Sequence, residues 1–199
     1  MLFSSSALFG FIGLYIPFFY VQLYSIQRKA AQGSLITYLL PLLNAGSFLG
    51  RIVSAILSVL PHNETDLLKI PNHIADKAGA LNTAIICTFA ASVLNFGWIG
   101  MKDTAGVIVF CILYGFFSGA FLSLGPVVIA ELSPSFDVFG SRLSMLFIPA
   151  AVGVLIGNPI AGAILKSGWI GLQVFGGSTL AVAMLLGSVA RLVKTGLQQ

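Results

Sequence analysis

Charge is what this chain lacks. Of its 199 residues only 8% are charged, six acidic and ten basic, where ordinary soluble domains carry about 25%. So few charges cannot dress a surface for water, which excludes a water-soluble globular domain. The net charge of +4 is spread thinly along the chain, without the basic cluster that a nucleic-acid interface needs. Cysteine is scarce too: Cys87 and Cys111 both fall inside apolar runs and read as small core residues, not as a disulfide. No metal-ligand spacing occurs, and no cofactor is expected. Both histidines, His62 and His73, sit in one polar break, so Ser118 in "GFFSG" has no base within a membrane helix. That excludes an intramembrane serine enzyme.

What is there is apolar residue, 57% of the chain, with a mean hydropathy of +0.99. A helix that crosses a bilayer needs about 20 such residues. Six stretches qualify, at 4–26, 35–60, 81–101, 105–132, 142–165 and 169–193. Between them lie the polar breaks "QRKAAQGS", "PHNETDLLKIPNHIADKAGA", "MKDT", "SPSFDVFGS" and "KSG". Backbone groups cannot be left unpaired in lipid, so each stretch is read as helix. The expected fold is an all-α, multi-pass membrane protein, with residues 1–199 forming a single transmembrane domain whose first partner is the lipid bilayer.

Two features inside these helices stand out. Gly46 and Gly50, Gly115 and Gly119, and Gly153 and Gly157 are each four apart, the small-xxx-small spacing that lets membrane helices approach backbone to backbone. Pro17, Pro41, Pro126, Pro149 and Pro159 interrupt helical runs and are expected to kink them. Arg51, in "LLNAGSFLGRIVSAIL", is the residue that asks for a function. An arginine at the centre of a spanning helix costs about 2.5–3.5 kcal/mol on insertion scales, so it faces a bundle interior, a partner or a watery cavity; near a helix end it snorkels. Asn44, two turns earlier, shares its face; it either presents an amide to the same cavity or bonds a neighbouring helix.

"GLYIPFFYVQLY", "YLLPLLNAGSFLGR", "ADKAGALN", "YGFFSGAFLSLGPVVIAELSP" and "IGNPIAGAIL" lie on successive helices in one order. Together they resemble the carboxy-terminal half of fungal monocarboxylate-transporter-like members of the major facilitator superfamily. The resemblance implies twelve helices in two six-helix halves, each half two inverted three-helix repeats. It implies transport of a small solute, such as a monocarboxylate or another organic anion, by alternating access between the halves. Arg51 then lines the central cavity, where its fork suits a carboxylate, and Phe117 and Phe121 are cavity-wall residues. Asp76 and Lys77, in "ADKAG", resemble the loop pair that braces helix ends and gates the cycle. Animal monocarboxylate carriers have an aspartate where this chain has Ser47, which puts proton coupling in doubt. The partner implied is an amino-terminal half or a second copy of the chain. The plasma and vacuolar membranes are not distinguished.

One segment breaks the resemblance. After "GRI" the family pattern passes within a few residues to "PNHIADK", whereas here "VSAILSVLPHNETDLLKI" intervenes. Residues 53–70 are therefore expected to be an aberrant insert, translated from a retained intron. The alternative function is that of a truncated membrane fragment of such a carrier, without a full translocation path, that transports nothing. Asn63-Glu64-Thr65 is a glycosylation sequon, expected to be unused if its loop faces the cytosol.

Overall fold

Strings of apolar residue bounded by short polar breaks leave the backbone one solution in lipid, and the computed structural model shows it: helices throughout, with no strand among the described residues. It describes residues 2–30, 33, 35–59, 79–101, 103–133 and 136–196. The helices are α1 (Leu2–Leu14), α2 (Ile16–Gln27), α3 (Leu35–Val59), α4 (Ala80–Gly97), α5 (Thr104–Leu132), α6 (Phe139–Leu165) and α7 (Trp169–Gly196). Single turns of 3₁₀ helix at Trp98–Gly100 and Phe136–Val138 trim the ends of α4 and α6. Six spans are long and apolar enough to cross a membrane, the first made of α1 and α2 together. The protein is an integral, multi-pass membrane protein.

The first span departs from the single helix read in the sequence. It breaks at Tyr15, because Pro17 has no N–H for the carbonyl of Gly13. The neighbouring carbonyl of Leu14 accepts a hydrogen bond from the Tyr114 hydroxyl at 2.9 Å, so α5 supplies a donor where the first span is interrupted. The break also redirects the chain: α1 packs on α6 and α7, while α2 reaches α3 and α6. Pro41, Pro126, Pro149 and Pro159 lie inside helices that continue through them.

The packing partners carry an internal symmetry. The closest pairs are α3 with α5, α1 with α6, α1 with α7, α4 with α5, and α4 with α7. Exchanging the first three spans for the last three turns the α3–α5 pair into α6–α1 and the α1–α7 pair into α5–α4, and leaves α4–α7 as itself. Three is an odd number of crossings, so the second triplet enters from the opposite face. The bundle is two inverted three-helix repeats.

Glycine makes the two symmetric crossings. A Cβ at Gly46 would fall on the carbonyl oxygen of Ile112, and one at Gly50 on that of Phe116; across the same contact, Gly115 meets Leu43 and Gly119 meets Ser47, backbone to backbone. At the twin crossing a Cβ on Gly153 would lie 2.6 Å from the Leu8 carbonyl oxygen, and one on Gly157 2.5 Å from that of Ile12. Only hydrogen fits at these points. Around them, Trp98, Phe110 and Tyr114 stack in one buried cluster with Tyr24 and Trp169. Side-chain hydroxyls fasten helix to helix: Ser6 donates to the Ala183 carbonyl at 2.7 Å, Tyr24 to Met101 at 2.6 Å, and Ser92 to Gly177 at 2.9 Å.

Candidate functional site: an open polar face on α3

One side of α3 is buried by the glycine crossing, and the opposite side is open. Asn44, Phe48 and Arg51 stand at i, i+4 and i+7 along the open side, all exposed, with Phe48 at 63%. Sequence reading put Asn44 and Arg51 on one face, and the structure does the same. Asn44 is exposed, and its Nδ2 donates to the Leu40 carbonyl of its own helix at 3.0 Å. Among the described residues Arg51 has no carboxylate partner. Its backbone carbonyl accepts from Ser54 Oγ at 3.1 Å.

Depth matters to a charge in a membrane span. The apolar span of α3 runs from Leu35 to Ile56, so Arg51 lies roughly 8 Å inside its end at 1.5 Å per residue. It is nearer the end that leads to residues 60–78 than the centre. The charge is therefore within the hydrocarbon depth yet within a side chain's reach of the interface.

The aromatic pair divides. Phe121 is buried at 7% and packs against Phe11, ring centroids 5.9 Å apart, beside a small cavity of about 20 Å³ lined by apolar groups of α1, α4, α5 and α6. A space of that size with no polar partner stays dry. Phe117 is half-buried and meets Phe116 edge-on. Neither shares the open face with Arg51. The gating pair Asp76 and Lys77 and the sequon at Asn63 lie outside the described residues, as does most of the expected insert; its first residues, 53–59, continue α3 without interruption.

Ser47 is not on the cavity side either. It is 3% exposed at the crossing with Gly119, its Oγ without a partner. Two turns further, Ser54 is buried and shares a hydrogen bond with Ser123 of α5. Sequence reasoning passed over this serine pair, since serines 69 residues apart carry no local signal of meeting.

No metal-binding cluster of His, Cys, Asp or Glu occurs among the described residues. The arrangement offers a guanidinium and an amide on an apolar, open wall, which can take an anionic group in two parallel hydrogen bonds.

Comparison with known proteins gives this wall a context. No protein-family model matches the chain, and no solved structure does. Among curated proteins, it is 34% identical to the MFS-type transporter dbaD of Emericella nidulans over 92% of its own length and 38% of the relative's. It is 32% identical to the aspyridones efflux protein apdF of the same fungus, over 92% of this chain and 34% of that one. It is also 34% identical to the agnestins efflux protein AgnL12 of Paecilomyces divaricatus, over 99% of this chain and 42% of that one. The chain thus spans a third to two fifths of the length of relatives that are named as transporters.

Proposed function

We propose that this chain, which is one six-helix half of a major facilitator superfamily transporter fold, forms one wall of the solute path in a secondary transporter that works by alternating access. The solute is a small organic anion such as a monocarboxylate. The observation that carries the reading is Arg51: a guanidinium within hydrocarbon depth, on an open helix face, with no carboxylate partner among the described residues. Such a group is costly unless something else meets it, and a passing carboxylate is the chemistry it fits best. Asn44 adds an amide on the same face. Two relatives are named for the efflux of aspyridones and agnestins, which supports export as the direction.

A path needs two walls. The complementary wall is an amino-terminal half or a second copy of this chain, closing over the face of α3. Phe117 belongs to the wall beside it and Phe121 supports that wall from behind. Asp76 and Lys77 brace the helix ends as the gate. Ser47, buried at a crossing, offers no route for a coupling proton, so any coupling runs through groups elsewhere. Residues 53–70 are an insert, and the second reading, a membrane fragment that transports nothing, applies to a product that keeps the insert and lacks a second half.

The test is transport by the full carrier in proteoliposomes, with radiolabelled monocarboxylates. Arg51→Ala is expected to cut uptake roughly tenfold to hundredfold, the worth of a lost charge-assisted hydrogen bond. Arg51→Lys keeps the charge but not the fork and should fall between. Wild-type uptake by Arg51→Ala, in protein that is correctly inserted, would sink the reading.

A further inference from the structure

The inverted repeat assigns each residue of the first triplet a counterpart in the second. The offset that carries Gly46 and Gly50 of α3 onto Gly153 and Gly157 of α6 is fixed by matching crossings, since each pair seats on a helix of the other triplet's first span. The same offset carries Arg51 onto Asn158 and Asn44 onto Ala151. "GSFLGR" and "GVLIGN" are thus one motif read from opposite sides of the membrane. Resting on the transport reading above, we infer that Asn158 is the second polar contact of the solute path, and that it takes a hydrogen-bond donor of the solute, a hydroxyl or N–H.

The local chemistry supports this. Asn158 is half-buried, its Oδ1 enclosed and without a partner, and its Nδ2 makes only a long 3.4 Å contact to the Val154 carbonyl of its own helix. Pro159 follows it and has no N–H, so the carbonyl of Leu155 is deprived of its usual donor one turn back. The enclosed Oδ1 is therefore an acceptor with no protein donor among the described residues. The backbone at this point is pinned from elsewhere, by the Tyr20 hydroxyl donating to the Asn158 carbonyl oxygen at 3.1 Å. The side chain is free of that structural duty.

Position completes the argument. Arg51 lies past the middle of α3 and Asn158 past the middle of α6, and these helices run in opposite directions. At 1.5 Å per residue they stand roughly 8 Å and 9 Å from the centres of their spans, on opposite sides of the midplane. One offers donors and positive charge, the other acceptors. A solute with an acid at one end and a hydroxyl or N–H at the other matches both.

The test uses single cysteines in the full carrier, reconstituted in phosphatidylcholine vesicles, and a permanently charged methanethiosulfonate reagent that reacts only from water. Cys87 and Cys111 are buried, so unsubstituted protein is the blank. Asn158→Cys and Ala151→Cys should label as fast as Arg51→Cys and about 100-fold faster than Ile86→Cys on the outer face of α4, because exposure to water governs thiol reactivity. Should Asn158→Cys fail to fold, Ala151→Cys, two turns back on the same face, decides alone. Labelling at Arg51→Cys without labelling at Asn158→Cys or Ala151→Cys would overturn the inference and spare the transport reading. No labelling at Arg51→Cys would overturn the transport reading itself. In a second arm, 4-hydroxybenzoate should protect Ala151→Cys from the reagent better than benzoate, and lose that advantage when Asn158→Leu is added. Equal protection by the two, including none, would show that Asn158 reads no donor.

Discussion

The two glycine crossings predict how the bundle responds to a single methyl group. At Gly157 a Cβ would stand 2.5 Å from the Ile12 carbonyl oxygen, and at Gly153 2.6 Å from that of Leu8; ordinary contact needs about 1 Å more, since nonbonded carbon contacts are optimal at roughly 3.5–4.0 Å. Gly157→Ala must therefore push α6 off α1 or bend one of them, a strain of about 1–3 kcal/mol. Against it stands up to about 1 kcal/mol gained by replacing glycine within a helix. The net expectation is a loss of about 1–2 kcal/mol, or roughly 2–8 °C in Tm for a chain of this size. Gly140→Ala, on the same helix but with nothing within 4 Å of its new methyl, keeps only the gain and should leave Tm unchanged or raised. Gly50→Ala meets a closer carbonyl than Gly157→Ala and should cost at least as much. Thermal unfolding of purified protein in detergent, followed by circular dichroism, reads all three. If Gly157→Ala and Gly140→Ala unfold together, the crossings are not the close contacts described, and the symmetry built on them fails.

Other outcomes follow from single contacts. Tyr114→Phe leaves the Leu14 carbonyl at the break in the first span without its hydroxyl donor, and should lower stability by about 1–2 kcal/mol, read by the same melts. Ser47→Asp, far from restoring a coupling aspartate, would drive a carboxylate into the Gly119 crossing and should give poorly inserted protein, read as loss of the monodisperse peak on size exclusion. Glycosidase treatment of the native protein should produce no gel shift from Asn63; a shift would place that loop in a secretory lumen. Long-read sequencing of the native transcript should show messages that omit the codons for 53–70, and their complete absence would refute the insert.

Much of the bundle was legible because membrane helices announce themselves locally. Each of the six spans is a run of apolar residue, and each glycine pair is written in five letters. What the letters do not say is which helix a glycine meets, because the α3–α5 and α1–α6 crossings join residues far apart in the chain. Proline was ambiguous for a related reason. Pro17 coincides with a break where Tyr114 supplies a donor to the neighbouring Leu14 carbonyl, whereas Pro41 lies in a helix that continues. Arg51 stood out as a charge among apolar residues, while Asn158 did not, since a lone asparagine is unremarkable until the repeat shows what it corresponds to. Phe121 looked like its neighbour Phe117 by spacing, yet four residues along α5 turn one ring into the core and leave the other half covered.

The glycine crossings also set the mechanics of the bundle. A contact made of side chains can yield by changing rotamers, but one made of backbone has no rotamers to change. The α3–α5 and α1–α6 pairs should therefore behave as two stiff struts that carry load without deforming. Movement within the half must be taken up where side chains do the touching, along α5–α6 and α6–α7, so the joints are located by what the struts cannot do.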